Sequence, residues 1–133
     1  MQASELMIGD WVFNAHHGEN IQITPYDFFT HGHFEDGRYI PTGVTPSNGW
    51  DLEPIPLTPE ILEKNGFELG GILKNTYSVG DSNYTITIGK NGRGQCDIMN
   101  HLFHIGVTME CCGTVHELQH ALRLCGIKKE IKI

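Results

Sequence analysis

No apolar run in this 133-residue chain approaches the ~20 residues that a membrane-spanning helix needs. Basic residues are scarce: nine Lys and Arg stand against 16 Asp and Glu, a formal net charge of −7. Phosphate polyanions repel a chain of that sign, so neither a nucleic acid nor an anionic membrane is an expected partner. The first residues, Met1-Gln2-Ala3-Ser4-Glu5, lack the basic and apolar regions of an export leader, which predicts a cytoplasmic chain. Only four cysteines occur (Cys96, Cys111, Cys112 and Cys125), without a C-x-x-C pair. Reduced, structural thiols are the expectation. The glycine-rich stretch at 89–94 lacks both the phosphate-loop and the dinucleotide patterns, so no cofactor is expected. Proline is absent after Pro59 and tryptophan after Trp50, while every cysteine lies beyond residue 95. That shift in composition predicts two structural units, 1–56 and 57–133.

The first unit reads as all-β. Gly9-Asp10 marks a turn into a strand at Trp11-Val12-Phe13, and Ile21 and Ile23 alternate with polar neighbours. Phe34 and Tyr39-Ile40 offer further short strands, with glycines between them. Trp50 to Ile55 reads as a last strand, which Pro54 confines to a sheet edge or strand end. The expected form is a small SH3-like β-barrel.

The second unit reads as α+β, with two helices and a small antiparallel sheet. Thr58 is an N-cap, Pro59 takes the first helical position and Gly66 the C′ position. Asn75–Val79 and Asn83–Ile88 are expected strands around a Gly80-Asp81 turn. Asn91-Gly92 is a hairpin signal. Phe103, Ile105, Val107 and Met109 alternate as in a half-buried strand. Thr114 and Glu117 form a capping box for a helix whose apolar stripe is Val115, Leu118, Ala121, Leu122 and Cys125. Ile127–Ile133 is expected to return as a final strand.

His116-Glu117-Leu118-Gln119-His120 fits H-E-x-x-H. On a helix this pattern places two imidazoles on one face and a carboxylate beside them, the chemistry of a zinc-dependent hydrolase. The longer metzincin form fails, because Arg123 and Gly126 stand where its Gly and third His belong. Both histidines are expected on the exposed side, and Glu117 in the capping box. No metal site is therefore expected, with His116 and His120 the ligands of the alternative reading. His101, His104, Cys111 and Cys112 are further ligand types nearby, without metal-binding spacing.

The charge is unevenly placed. Residues 1–57 hold eight acids and one base, Arg38, whereas residues 58–133 hold eight of each, so the exclusion of nucleic acid is firm for the first unit and softer for the second, where Lys128, Lys129 and Lys132 form a small basic tail. A basic protein surface is the expected partner of the first unit. The residues expected to meet it are Trp11, Asp27, Phe28, Glu35 and Asp36. A third reading is a small-ligand pocket between the units.

Three stretches carry a resemblance: Ala3 to Val12, Ile55 to Phe67 and Val115 to Leu122. Together they resemble a family of small proteins of gut-bacterial genomes, often in prophage-like or other mobile regions. The family has no established activity to carry over. The resemblance implies a bacterial, phage-associated setting. It also implies that Gln or Asn is tolerated where Glu117 and His120 stand, which makes H-E-x-x-H incidental. The expected function is a non-enzymatic interaction module.

Overall fold

The computed structural model describes residues 5–15, 17–24, 30–44, 52–70, 76–89, 95–110 and 112–133, with the backbone path alone for 30–35 and 38–44. The chain is α+β and divides into two compact units, Met1–Ile55 and Pro56–Ile133.

In the first unit, β1 (Trp11–Asn14) lies between β2 (Glu19–Gln22) and β5 (Leu52–Pro54), antiparallel to both. Pro54 is the last residue of an edge strand, where its missing N–H costs no ladder bond. Leu6, Val12, Ile23 and Leu52 form the apolar core, with Ile21 packed against it. Asp10 is fully buried and justifies its place by bonding. Its Oδ2 accepts from Met7 N at 2.7 Å, and its carbonyl accepts from Ile23 N at 2.8 Å.

β3 (Thr30–Glu35) and β4 (Arg38–Val44) form a separate hairpin. Its two-residue turn, Asp36-Gly37, has positive φ at both positions (49° and 75°). This is the type I′ geometry for which Asp-Gly is a strong sequence signal. Among the described residues the five strands make two sheets and no closed barrel.

In the second unit, α1 (Pro59–Lys64) starts as its sequence predicts, with Thr58 Oγ1 accepting from Ile61 N at 3.3 Å. It ends in a Schellman motif: Gly66 N donates to Glu63 O and Phe67 N to Leu62 O, with Gly66 at φ 85°. A five-stranded antiparallel sheet follows. It comprises β6 (Glu68–Leu69), β7 (Thr76–Gly80), β8 (Tyr84–Gly89), β9 (Cys96–Asn100) and β10 (Ile105–Met109), in the order β10-β9-β8-β7-β6. The segment holding Asn91-Gly92 lies outside the described residues. The strands it would connect, β8 and β9, do pair in antiparallel register with Ile88 opposite Cys96.

One sheet face carries Tyr77, Ile86, Ile88, Cys96, Ile98 and Asn100, all buried. The stripe of α2 (Val115–Leu124) is buried as its periodicity predicts. Asn100 Nδ2 donates to Cys125 O at 2.8 Å and so ties β9 to the C-terminal end of α2.

Four expectations need correction. Phe103 belongs to the turn before β10, and Ile105 is exposed, because β10 is an edge strand. Residues 127–133 form no strand. Their backbone is instead held by Asn65, whose Nδ2 donates to Lys132 O and whose Oδ1 accepts from Lys132 N, both at 2.7 Å. Thr114 makes no side-chain cap bond, and Glu117 reaches past it to accept from Gly113 N at 3.0 Å. Glu117, at the third helical position, thus ties down the residue before the N-cap. The fourth correction concerns the histidines of α2.

Candidate functional site

The buried arc of α2 is wider than its apolar stripe. His116 is only 8% exposed, Gln119 is buried beside it, and His120 is half-buried. The expectation of two solvent-facing imidazoles fails, because α2 is covered over well more than its Val115/Leu118/Leu122 ridge. The two imidazoles pack edge to face, with centroids 5.6 Å apart. His116 Nδ1 lies 3.2 Å from Thr114 Oγ1. Glu117, the general base of a hydrolase reading, is engaged by the Gly113 N–H. Among the described residues no three His, Cys, Asp or Glu side chains converge as a metal would require. His101 is occupied elsewhere, with Nε2 2.8 Å from Thr85 Oγ1, and His104 is exposed in the turn before β10. Cys111 lies outside the described residues. Catalytic zinc takes three protein ligands, and among the described residues none joins His116 and His120 as a third.

The thiols of Cys96, Cys112 and Cys125 are all buried. A hydrogen bond from Cys112 holds the Cys96 thiol below its ordinary pKa, against the opposing effect of burial. Burial, and then the neighbouring Cys96 charge, push the Cys125 thiol up. Cys125 is a core residue of α2, as its stripe position predicts.

The residues expected to meet a partner in the first unit lie on different elements where the structure describes them. Trp11 is half-buried in β1, and Asp36 is exposed at the tip of the β3-β4 hairpin. Glu35 ends β3, and Asp27 and Phe28 lie outside the described residues.

The second unit holds a surface that the sequence did not single out. The turn 101–104 between β9 and β10 exposes Leu102 at 63% and Phe103 at 66%. It is held from inside. Asn100, 4% exposed, accepts through Oδ1 from Leu102 N at 3.0 Å and Phe103 N at 3.3 Å. His101 N donates to Asn83 O at 2.8 Å. His104 closes the turn at φ 52°, a left-handed conformation that costs energy in any residue with a Cβ.

Across from the turn, α2 ends in its own Schellman motif. Gly126 N donates to Arg123 O, Ile127 N donates to Leu122 O, and Gly126 sits at φ 70°. Between the turn and this helix end lies a groove of about 340 Å³, whose walls include Tyr84, Phe103, Lys128 and Lys129. The signal for it in the sequence was weak. It amounts to an Asn at an inward strand position followed by two large apolar residues at a turn, where polar residues are the rule. Comparison with family models, curated proteins and solved structures returned no match for this chain.

Proposed function

We propose that this protein is a non-enzymatic interaction module, with its contact surface at the turn 101–104. The observation that carries this reading is a rigid display of two large apolar side chains. Leu102 and Phe103 are about two-thirds exposed, yet their backbone N–H groups are fixed by the buried Asn100. Burying either side chain against a partner is worth roughly 1.5–3 kcal/mol. A turn already ordered in the unbound chain loses little conformational entropy when it binds. Apolar residues at a strained, clamped turn have no role in the core, because they are not in it.

The acidic first unit supplies a second contact, with a basic protein, through Trp11, Asp27, Phe28, Glu35 and Asp36. Five short antiparallel strands within residues 11–54 support an SH3-like reading of that unit. Three buried thiols, two of them hydrogen-bonded to each other, suit a reducing cytoplasm. The family resemblance adds a bacterial, mobile-element setting.

The test compares proteins captured from a bacterial lysate by the immobilised chain and by its Leu102→Ser/Phe103→Ser variant. A partner retained by the first and lost by the second supports the reading. If every captured protein binds both equally, the turn is not the contact surface. Zinc content is measured in parallel. Stoichiometric zinc that disappears in His116→Ala/His120→Ala would favour the hydrolase alternative instead.

A further inference from the structure

The groove beside the turn has a definite chemistry. One wall is apolar: Leu102, Phe103 and the ring of Tyr84. The opposite wall is the segment after α2, where Ile127 anchors the chain and Lys128 and Lys129 follow. Lys128 is exposed and Lys129 half-buried. No carboxylate lines the groove among the described residues.

Both walls are fixed. Asn100 bonds to the turn through Oδ1 and to the end of α2 through Nδ2, so one buried amide sets the distance between them. The Schellman motif sets the direction in which Lys128 and Lys129 leave the helix.

We propose that this groove binds an acidic peptide segment, in which a bulky apolar side chain lies beside one or more carboxylates. The inference rests on the interaction-module reading above and names the class of its partner. The apolar wall takes the side chain, and the two ammonium groups take the carboxylates. A volume of about 340 Å³ is near the lower end of ligand pockets. It holds one or two side chains rather than a folded surface.

Charge decides between this partner and other anions. The unit that holds the groove balances eight acids against eight bases, so an extended polyanion such as nucleic acid finds no net attraction over its length beyond the two lysines. A short acidic segment samples only the local field, because at physiological salt charges are screened beyond roughly 8 Å. Two lysines also fall short of the four to eight that hold a protein to an anionic membrane.

The experiment selects a displayed library of random seven-residue peptides against the intact chain. Recovered peptides are expected to combine Asp or Glu with Phe, Trp or Leu. A synthetic copy of the most enriched peptide is then titrated by fluorescence anisotropy. Lys128→Glu/Lys129→Glu is expected to weaken it at least ten-fold, and Phe103→Ser by a similar factor. Leu124→Ser, which alters an exposed apolar residue outside the groove, leaves it unchanged. Lys128→Gln/Lys129→Gln, read alongside, gives an intermediate loss without introducing negative charge. Enrichment of basic or uncharged peptides overturns the proposal. So does an acidic peptide whose affinity survives the charge reversal, a selection that enriches nothing, or a single-stranded oligonucleotide that binds as tightly. If Phe103→Ser abolishes lysate capture while charge reversal does not, the acidic class is wrong and the interaction surface stands. If neither change affects capture, the surface itself falls.

Discussion

Replacing Asn100 by alanine separates the clamp from everything it holds. The wild-type side chain makes three hydrogen bonds, to Cys125 O, Leu102 N and Phe103 N. Their losses are not equal. The Leu102 and Phe103 N–H bonds are only part-buried in an exposed turn, so water replaces part of what the acceptor supplied when it is removed. Cys125 is fully buried, and its carbonyl loses a donor that water does not readily replace. An orphaned buried acceptor costs about 1–3 kcal/mol, and each replaceable bond a fraction of the usual ~1 kcal/mol. The expected total is about 2–4 kcal/mol. Urea unfolding at pH 7 measures it as a fall in midpoint without a change in slope.

Asn100→Asp adds a check by pH. It keeps the acceptor for the turn but replaces the donor with a carboxylate oxygen facing the Cys125 carbonyl. Burial and that contact raise the new carboxyl's pKa in the folded state above its unfolded value of ~3.9, outweighing the two turn N–H donors that lower it. The deficit relative to wild type is therefore full at neutral pH. It shrinks as pH falls through the folded pKa, because the protonated acid donates again. A loss below ~0.5 kcal/mol for Asn100→Ala, or a deficit for Asn100→Asp that ignores pH, would refute the clamp.

Asn65→Ala removes bonds to Ile61 O and to both backbone groups of Lys132. It is expected to cost about 2–3 kcal/mol and to open residues 127–133 to carboxypeptidase, read by mass spectrometry. Gly80→Ala and Gly106→Ala should differ sharply in urea midpoint. A Cβ at Gly80 would sit 2.6 Å from the backbone Tyr84 O, whereas one at Gly106 meets the mobile end of Met99. Equal midpoints would contradict the hairpin geometry. Cys125, with its thiol pKa raised in the fold, contributes stability that is fully present below the unfolded value of ~8.5 and lost as pH rises through the folded one. Wild-type stability should therefore decline above that value more steeply than that of Cys125→Ala, measured by urea titration between pH 7 and 10.

Local physics explains what the sequence determined by itself. A short polar cap, a proline at the first helical position and a glycine past the last fix a helix within one turn of chain, so α1 was legible from Thr58 to Gly66. The 3.6-residue spacing of Val115, Leu118 and Leu122 identified α2 and its core face in the same way. The Gly9-Asp10 turn signal located β1, and the alternation of Tyr84, Ile86 and Ile88 located β8. The Asp36-Gly37 turn carries a local signal of the same kind, between flanking strands that alternate poorly.

The tertiary structure decided the rest, because those properties depend on neighbours distant in the chain. β9 was hidden by an inward Asn, whose burial makes sense only once the Cys125 carbonyl is beside it. His116 has the sequence of a surface residue and becomes buried through the cover α2 receives. The C-terminal segment has strand periodicity, yet the Lys132 backbone bonds to the Asn65 amide and Ile127 N to Leu122 O, and the segment forms no strand. The sequence placed the net charge of −7 in the first unit and pointed to that unit for binding. Only the folded second unit brings Leu102 and Phe103 to face Lys128 and Lys129. The reason is physical: periodicity reports which residues share an element's face, and a groove is made by which elements meet.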